Sequence, residues 1–326
     1  MKSLVTGGAG FIGSNLVEKL IKLGHKVVVL DNLSTGRLSN LKSVKNKIEF
    51  YKIDFSKNKK LSKKYFKKVD WVFHMAGLAD IVPSIENPKK YFNSNVVGTL
   101  NVLEFAKKAK VRKFIYAASA SCYGIPKKYP TNENAKIDPQ YPYATTKNLG
   151  EQLVLNWSKA YKMPNISLRF FNAYGPKSRT TGAYGAVFGV FLAQKLANKP
   201  LTIVGSGNQT RDFIHVYDLV EALVKSAKKG KSGEAYNLGS GKEISVNLIA
   251  KIIGGKKIRI PKRPGEPDRS KADITKIKKQ LNWRPKITIF KGVKMLLNDI
   301  KNWKDAPVWT PQKISKATKV WFKLLG

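Results

Sequence analysis

The chain begins with the stretch Met1-Lys2-Ser3-Leu4-Val5-Thr6-Gly7-Gly8-Ala9-Gly10-Phe11-Ile12-Gly13-Ser14-Asn15. A short apolar segment leads directly into glycines with the spacing GxxGxxG, and a helical pattern of apolar residues follows through Ile21. Glycines permit a tight turn and let the backbone approach a pyrophosphate, which then rests on the helix N-terminus. The stretch therefore predicts a strand, a phosphate-binding turn and a helix.

A second predicted strand, from His25 to Leu30, ends in Asp31. An acid at this place accepts hydrogen bonds from the ribose hydroxyls of adenosine and repels a 2′-phosphate. The following residues contain no arginine until Arg37. The pattern therefore favours NAD over NADP as the dinucleotide.

A second informative feature is the pair Tyr143 and Lys147, which follows Pro142. Proline can open a helix, and the i,i+4 spacing places the phenol and the ammonium on one face of it. Ser119 ends an apolar run upstream. Because a fixed ammonium favours the phenolate, we expect Lys147 to lower the pKa of Tyr143 from its ordinary value of about 10, so that the tyrosine acts as a base.

Residues 1 to about 175 alternate apolar segments with helical patterns, which predicts a parallel sheet with helices on both faces. The predicted strands are 2–6, 26–30, 48–53, 70–74, 113–118 and 166–170, and the predicted helices are 13–23, 89–109 and 143–161. A loop at 177–185, a helix at 186–197 and a strand at 201–204 follow. The strand-like segment 213–216 and a helix after Asp218 predict a return to the first sheet, and 244–300 a second small α/β unit.

The predicted fold is therefore α/β: a Rossmann-type doubly wound parallel sheet with a smaller C-terminal α/β substrate domain. We assign 1–175, together with about 211–240, to the dinucleotide-binding domain. The substrate domain takes 176–210 and 241–302. The amphipathic tail 303–326 holds three of the six tryptophans.

The composition is that of a globular chain, with 326 residues of which 42% are apolar. No apolar run approaches the roughly 20 residues that cross a bilayer. The first strand starts at residue 2, so we expect no signal peptide. A single cysteine, Cys122, excludes an intramolecular disulfide and favours a reducing cytoplasm. No spacing of His, Cys and acids predicts a metal.

The formal net charge of +40 raises the question of a nucleic-acid partner. Of the 61 basic residues only 9 are arginine, and the lysines are spread along the chain. Nucleic-acid-binding proteins tend to concentrate arginine and aromatic residues in one stripe. We therefore predict no specific nucleic-acid partner, although such a protein stays an alternative, and expect the charge to steer an anionic substrate.

With these features, the chain resembles the extended short-chain dehydrogenase/reductase superfamily. Within it, it resembles the NAD-dependent nucleotide-sugar epimerases of the UDP-glucose and UDP-N-acetylglucosamine 4-epimerase type. The motifs that carry the resemblance occur in order: GGAGFIG (7–13), DNLSTG (31–36), Asp54-Phe55, HMAG (74–77), NVVGT (95–99), ASASCYG (118–124), YATTK (143–147), RFFNAYGP (169–176), RDFIHVYD (211–218) and RPGEPDRSKAD (263–273).

The resemblance implies that Tyr143 is the acid/base, that Lys147 hydrogen-bonds the nicotinamide ribose and tunes Tyr143, and that Ser119 bridges Tyr143 to the sugar. The residues that would hold NAD are Gly7, Gly10, Phe11, Ile12, Gly13, Asp31, Asn32, Leu33, Ser34, Thr35, Gly36, Asp54, Phe55, Met75, Ala76, Gly77, Ala79, Asn95, Tyr143, Lys147 and Phe171.

The implied substrate is a UDP-sugar. Asn172, Arg211 and Arg263 would bind its diphosphate, and Glu266, where the family usually has Asp, its ribose. The other implied contacts are Ser84, Ser119, Val187, Thr202, Val204, Val246 and Ser270. In relatives of this type the position of Ser270 borders the C2 substituent, and a small residue there admits an N-acetyl group.

Structural alternatives stay open for several of these residues. Asp54 could cap a strand end, Arg211 could pair with Asp212 or Asp218, and Ser270 could be a turn residue. Two histidines and the cysteine lack the surroundings of catalysts: we expect core roles for His74 and His215 and no nucleophilic role for Cys122.

The predicted function is that of a UDP-sugar 4-epimerase that works through a 4-keto sugar. Dehydratases of the superfamily carry Asp-Glu where this chain has Ala120 and Ser121, so lyase chemistry lacks its acid and base. A dehydratase or 4-keto reductase stays the alternative, and a non-catalytic dinucleotide sensor is the alternative of another class. The family also implies a homodimer through helices 89–109 and 143–161.

Overall fold

The structure is a computed structural model that describes residues 1–57, 62–178 and 187–325. Its strands are β1 Lys2–Thr6, β2 Lys26–Asp31, β3 Ile48–Lys52, β4 Trp71–His74, β5 Lys113–Ser119, β6 Asn165–Phe170, β7 Asn172–Tyr174, β8 Leu201–Val204, β9 Thr210–Arg211, β10 Phe213–His215, β11 Ala235–Leu238, β12 Ile244–Ser245 and β13 Lys257–Ile260. Its helices are α1 Phe11–Lys22, α2 Ile81–Glu86, α3 Pro88–Phe92, α4 Gly98–Lys108, α5 Pro142–Tyr161, α6 Val187–Leu196, α7 Val216–Lys229, α8 Val246–Ile253, α9 Thr275–Leu281, α10 Ile289–Asn298 and α11 Pro311–Leu325.

Seven parallel strands form the large sheet in the order β11-β6-β5-β4-β1-β2-β3. Val5 of β1 is paired with Val29 of β2 on one side and with Phe73 of β4 on the other. The chain order reverses at β1, and in such sheets ligands bind outside the carboxyl ends of the strands at this switch point. The predicted α/β class and all six predicted strands of the first part are confirmed.

Side chains alternate between the two faces of the sheet and build two cores. Val5 and Val29 pack against α1 and α7 in one core, whereas Leu4 and Val28 pack against α4 and α5 in the other. Buried parallel strands are largely apolar, as in Val27–Leu30 of β2, and this is why the sequence pattern located them.

A third core lies outside the large sheet. Helices α6, α8 and α10 pack around Phe191, Leu192 and Val293, next to the parallel pair β8–β13. Helix α9 packs instead on α7 and β11, and its Ile277 and Leu281 belong to the core of the large sheet. Helix α9, within the stretch 244–300, therefore packs against the large sheet.

The predicted helix 89–109 is interrupted. A π turn at Asn93–Val97 separates α3 from α4, because the Asn95 side chain bonds across to Leu78. Such turns frequently occur at functional sites.

After residue 175, the observed elements differ from the predicted ones at three places. The segment Phe213–His215 pairs with β7 and lies outside the large sheet, which β11 completes instead. Helix α7 begins at Val216, before Asp218. Most of the predicted loop 177–185 lies outside the described residues, and the predicted helix 186–197 is observed as Val187–Leu196.

Candidate active site

A cavity of about 730 Å³ opens at the carboxyl ends of the strands beside β1. Its volume lies within the range of roughly 300–1,000 Å³ that is usual for ligand sites. Its walls come from the large sheet, from the third core and from the C-terminal helix. Every predicted site residue lines it except five, namely Leu33, Gly36, Ser84, Asn95 and Lys147.

The glycine turn forms the floor of the cofactor end. Gly7 has a φ of +66°, and a Cβ on Gly13 would lie 2.2 Å from the Gly7 carbonyl oxygen, so a side chain at position 13 would collide with backbone. Helix α1 starts beside this turn with Gly10 at its N-cap, and no side chain caps it. The bare N-terminus and close backbone fit a dinucleotide pyrophosphate.

Asp31 closes the loop beside the glycine turn. Its carboxylate accepts hydrogen bonds from the backbone N–H of Ala9 at 2.9 Å and of Leu33 at 2.7 Å. Burial raises the pKa of Asp31 above its ordinary value, although these two bonds oppose the rise. Arg37 points elsewhere and donates to the Ser178 carbonyl at 3.3 Å, which agrees with a site for NAD rather than its 2′-phosphate.

Asp54 combines the two roles that the sequence left open. Its carboxylate accepts from the backbone N–H and the hydroxyl of Ser56, at 3.0 and 2.7 Å, so it caps a turn. It also lines the cavity next to Phe55. Burial raises the pKa of Asp54, but hydrogen bonds from Ser56 and Asn32 outweigh it, so that the net shift is downward.

Asn95 supports the cofactor end from outside the cavity. Its amide oxygen accepts from the Leu78 N–H at 2.8 Å, and its amide nitrogen donates to the Leu78 carbonyl at 3.0 Å and to Thr146 at 3.1 Å. These bonds hold the segment that follows β4, in which Met75, Ala76, Gly77 and Ala79 line the cavity. Asn95 thus shapes this wall without lining it.

Tyr143, Ser119 and Ser121 bring three hydroxyls to the centre of the cavity. The Ser119 and Ser121 oxygens lie 2.8 Å apart, and both hydroxyls hydrogen-bond Tyr143. The ring of Tyr141 stacks on that of Tyr143, with centroids 6.3 Å apart. Burial raises the pKa of Tyr143, and the two serine bonds oppose the rise. Ser121 and Tyr141 were not singled out from the sequence.

Lys147 is buried behind the cavity wall. Its Nζ lies 4.5 Å from the ring centroid of Tyr116. Burial lowers the pKa of Lys147 to about 7, opposed by the charge of Glu151. The pKa of Tyr143 is raised, mainly by burial, and the groups that oppose the rise are Ser119 and Ser121. The expectation that Lys147 lowers this pKa stays a prediction.

A buried ion pair holds α5 to the sheet, and sequence reasoning missed it. Arg169 on β6 donates from Nη2 to the Glu151 carboxylate on α5 at 2.6 Å and from Nη1 to the Tyr123 hydroxyl at 2.8 Å. Ser167 donates to the same carboxylate at 2.8 Å. The sequence contained one hint that Glu151 belongs near the site. Glu151 follows Lys147 by four residues, which places both side chains on one helix face.

Two arginines and one glutamate define the opposite end of the cavity. Arg211 on β9 lies 3.4 Å from one carboxylate oxygen of Glu266, and Arg263 lies 2.8 Å from the other. Neither Asp212 nor Asp218 takes the Arg211 pairing that the sequence left open; Asp212 accepts from the backbone N–H of Ser240 at 2.6 Å, and Asp218 from that of Ile287 at 2.8 Å. Each guanidinium is a planar, fork-shaped group of hydrogen-bond donors, and the two arginines together concentrate positive charge at this part of the cavity.

The remaining predicted substrate residues divide in two. Asn172, Val187, Thr202, Val204, Val246 and Ser270 line this end of the cavity. Ser84 does not: it is fully buried, donates to the Ile81 carbonyl at 2.6 Å and accepts from the backbone N–H of Tyr143 at 3.1 Å. Ser84 therefore caps the start of α5 and positions Tyr143.

The wall also contains residues that sequence reasoning did not select. They come from the tail and from the segments before α5, before β9 and after β13, and include Tyr129, Gln209, Arg269, Ala306, Pro307, Trp309 and Trp321. Arg269 lies within the quoted motif RPGEPDRSKAD (263–273), and the others lie outside the quoted motifs.

The histidines and the cysteine occupy core positions. The imidazole of His74 bonds Thr6 at 2.6 Å and Thr99 at 3.0 Å, and burial lowers its pKa to about 3. His215 accepts from the Tyr217 N–H and caps α7. Burial raises the pKa of Cys122 to about 12, which makes it a poor nucleophile.

Within the described residues 1–57, 62–178 and 187–325, no group of three or more His, Cys, Asp or Glu side chains could hold a metal ion. No helix within these ranges is long and apolar enough to cross a membrane.

Residues 3–239 match the model of the NAD dependent epimerase/dehydratase family. Because the match spans most of the chain and sequence relatives agree, the chain belongs to this family of NAD-dependent enzymes. The predictions of an enzyme and of NAD as its cofactor are thereby confirmed.

Three proteins illustrate its relatives. The UDP-glucose 4-epimerase of Mycolicibacterium smegmatis is 35% identical over 312 residues, which cover 93% of this chain and 99% of the relative. The UDP-glucuronic acid 4-epimerase of Bacillus cereus, solved with UDP-glucuronic acid and NAD, has a TM-score of 0.85 and 31% identity over 93% of this chain and 99% of its own. The UDP-N-acetylglucosamine 4-epimerase of Methanobrevibacter ruminantium M1, solved with UDP-N-acetylmuramic acid, has a TM-score of 0.85 and 29% identity over 91% of this chain and 98% of its own. The similarity is thus to UDP-sugar 4-epimerases whose sugars differ.

Proposed function

We propose that the protein is an NAD-dependent UDP-sugar 4-epimerase that interconverts C4 epimers through a 4-keto sugar. The observation that carries the proposal is that the Ser119 and Tyr143 hydroxyls line the same cavity as two dissimilar groups of residues. The glycine turn and Asp31 form one end, and the Arg211–Glu266–Arg263 cluster forms the other. A ligand that joins a sugar to a nucleoside diphosphate would bring its sugar to the hydroxyls.

NAD, when bound, supplies reversible hydride transfer at the sugar carbon. In our proposal the chain's own residues move the proton and hold the sugar. The Tyr143 oxygen takes the proton of the C4 hydroxyl and later returns it, and Ser119 holds the C4 oxygen in line. Ser121, bonded to Ser119 at 2.8 Å, keeps that hydroxyl oriented.

The arginine cluster suits the diphosphate. A guanidinium donates two parallel hydrogen bonds to phosphate oxygens and remains charged at any working pH. In our proposal Arg211, Arg263 and Asn172 bind the diphosphate, whereas Glu266 holds both arginines and takes the nucleotide ribose. The positive net charge of the chain favours the arrival of such an anionic ligand.

Dehydration is the nearest alternative within the family, and the cavity argues against it. A dehydratase needs an acid and a base beside the tyrosine to remove water from the sugar. The residues at those places are Ala120 and Ser121, and both line the cavity without a carboxylate.

The test is incubation of the purified protein with a panel of UDP-hexoses, without added cofactor, followed by separation of the products. We expect C4 epimers and release of NAD from denatured protein. Stoichiometric consumption of NADPH, or an absence of bound dinucleotide, would replace the epimerase with a reductase.

We further propose that the sugar site admits an N-acetyl group at C2. Ser270 lines the substrate end of the cavity, and its short side chain leaves room there. We expect turnover of UDP-N-acetylglucosamine by the parent protein. Ser270→Tyr should abolish that turnover and spare UDP-glucose, because the ring would fill the space. Activity of the parent confined to UDP-glucose and UDP-galactose would refute this part alone.

A homodimer through α4 and α5 belongs to the same proposal. The two helices pack together, and Val96, Val97 and Leu100 of the predicted apolar set stay partly exposed. Phe92, at the end of α3, is 45% exposed, and Tyr161, at the end of α5, is 51% exposed. A second copy would cover this face. Light scattering at micromolar concentration should give twice the chain mass, and a monomeric mass would contradict the dimer.

A further inference from the structure

We propose that the C-terminal segment, residues 306–325, is a wall of the nucleotide-sugar site and that its Trp321 is a positioning residue for Arg263. The inference rests on the proposed function and extends it to a part of the chain for which the family motifs provide no role. Four side chains of the segment line the cavity, namely those of Ala306, Pro307, Trp309 and Trp321.

Trp321 contacts the arginine segment in two ways. The guanidinium carbon of Arg263 lies 5.5 Å from the ring centroid of Trp321, within the range of a cation–π interaction. The indole N–H of Trp321 donates to the carbonyl of Pro264 at 2.8 Å. With only 3% of Trp321 exposed, the contact is desolvated and therefore stronger than a surface pair. Glu266 holds the same guanidinium from another direction.

The segment also supports the wall on which the nucleoside base is proposed to lie. Gln194, fully buried on α6, donates to the Trp309 carbonyl at 2.7 Å and to the Thr202 hydroxyl at 2.9 Å. Ile314 packs in one buried cluster with Val204 and Ile260. Thr202 and Val204 both line the cavity. One segment is therefore joined to both the base side and the phosphate side of the proposed site.

Helix α11 also packs on α2, the helix whose Ile81 and Val82 line the cavity from the side of the large sheet. The segment thereby contacts both the wall formed by Thr202 and Val204 and the wall formed by α2. An arginine side chain loses rotamer freedom when it binds phosphate, and a residue that orders it beforehand reduces that cost. We infer that Trp321 reduces this cost for Arg263.

The test compares Trp321→Ala, Trp321→Phe and the control Phe322→Ala by calorimetry with UDP and by steady-state kinetics. Phe322 is the next residue of α11, is 38% exposed and does not line the cavity. Trp321→Ala should weaken UDP binding and raise KM by roughly tenfold, with kcat and bound NAD little changed. Trp321→Phe keeps a ring and loses the N–H bond, so its effect should be smaller. Phe322→Ala should match the parent.

A double-mutant cycle with Arg263→Ala separates positioning from a general structural role. If Trp321 acts through Arg263, Trp321→Ala should add little loss in the Arg263→Ala background. Additive losses, or UDP affinity of folded Trp321→Ala equal to that of the parent, would overturn the inference. A parent protein that binds no UDP would instead overturn the proposed function, so the two failures are distinguishable. If Trp321→Ala does not fold, Trp321→Phe carries the same cycle.

Discussion

The cofactor end of the cavity is built mainly from backbone at one edge of one sheet, whereas the sugar-nucleotide end is assembled from side chains of distant segments. At the first end, Gly7 and Gly13 lie so close that no Cβ fits between them. At the second, Arg211 and Arg263 both pair with Glu266, and Trp321 donates to Pro264, which lies 57 residues earlier in the sequence. The first construction leaves a contiguous motif in the sequence; the second leaves isolated residues.

The difference has a consequence for substitution. A turn that binds its ligand through backbone loses that binding when a side chain is added. The group that it would bind, the pyrophosphate, is common to all dinucleotides. A cluster of side chains loses its binding when one side chain is removed, and its ligand specificity can change by substitution of one residue at a time. The two solved relatives bind UDP-sugars that differ in the sugar, as this division would lead one to expect.

The largest expected effect lies where the two ends meet. Tyr143→Phe removes the hydroxyl proposed to exchange a proton with the sugar, and should lower kcat by at least about 10²-fold while UDP still binds. Steady-state rates and calorimetry measure the two quantities. The control is Tyr161→Phe on the same helix, which is exposed and outside the cavity. Turnover of Tyr143→Phe close to that of the parent would remove Tyr143 from the mechanism.

At the cofactor end, one added methyl group at position 13 should weaken the binding of NAD. Gly13→Ala places a Cβ 2.2 Å from the Gly7 oxygen and should reduce the NAD that co-purifies by at least about tenfold. The control is Gly98→Ala, also within a helix, where the nearest atom to a new Cβ is 3.6 Å away. Dinucleotide released on denaturation is the readout. Equal NAD in both variants would show that the turn tolerates a side chain.

At the sugar-nucleotide end, loss of one positively charged side chain should weaken the binding of UDP. Arg211→Ala removes a charge-assisted contact and should weaken UDP binding by roughly 10- to 100-fold, with bound NAD unchanged. Arg259→Ala serves as the control, because Arg259 is exposed on β13 and does not line the cavity. If calorimetry gives Arg211→Ala the UDP affinity of the parent, its role is confined to the ion pair with Glu266.

The smallest effect concerns pH and the buried lysine. Burial lowers the pKa of Lys147 to about 7, whereas an unfolded lysine has a value of about 10.4. Between these values the unfolded chain holds a proton that the folded protein has lost, so the free energy of unfolding should rise with pH. Below pH 7 both states are protonated, and the full cost of the buried charge is present.

Lys147→Met removes that charge. In protein freed of dinucleotide, the variant should therefore gain most over the parent in thermal midpoint below pH 7 and least near pH 10. Lys159→Met, an exposed position on the same helix, is the control and should follow the parent at every pH. Parallel curves for the parent and Lys147→Met would contradict the buried-charge account.

The sequence allowed much of the fold to be predicted because buried parallel strands are continuous apolar runs. It did not identify β11, Ala235–Leu238, as a strand, since this element is short and contains the buried amide of Asn237. The π turn was missed because it depends on the bond between Asn95 and Leu78, a tertiary contact. The domain limits stay a prediction.

The same contrast applies to the site. The residues of the glycine turn and of the tyrosine helix could be named from local spacing alone. Ser84 was placed on the substrate, but it caps α5, and this follows only from the packing of α2 against that helix. The tail offered a tryptophan-rich amphipathic pattern, and nothing local indicated that Trp321 lies beside Arg263.

The central claim is that the hydrogen on C4 leaves the sugar and returns to the same molecule. The direct measurement uses a UDP-sugar with deuterium at C4, a catalytic amount of protein and ordinary water, and analyses the product by mass spectrometry. The account predicts the C4 epimer with its deuterium retained and its mass unchanged. A product lighter by one water, or an epimer that has exchanged its label with the solvent, would contradict it.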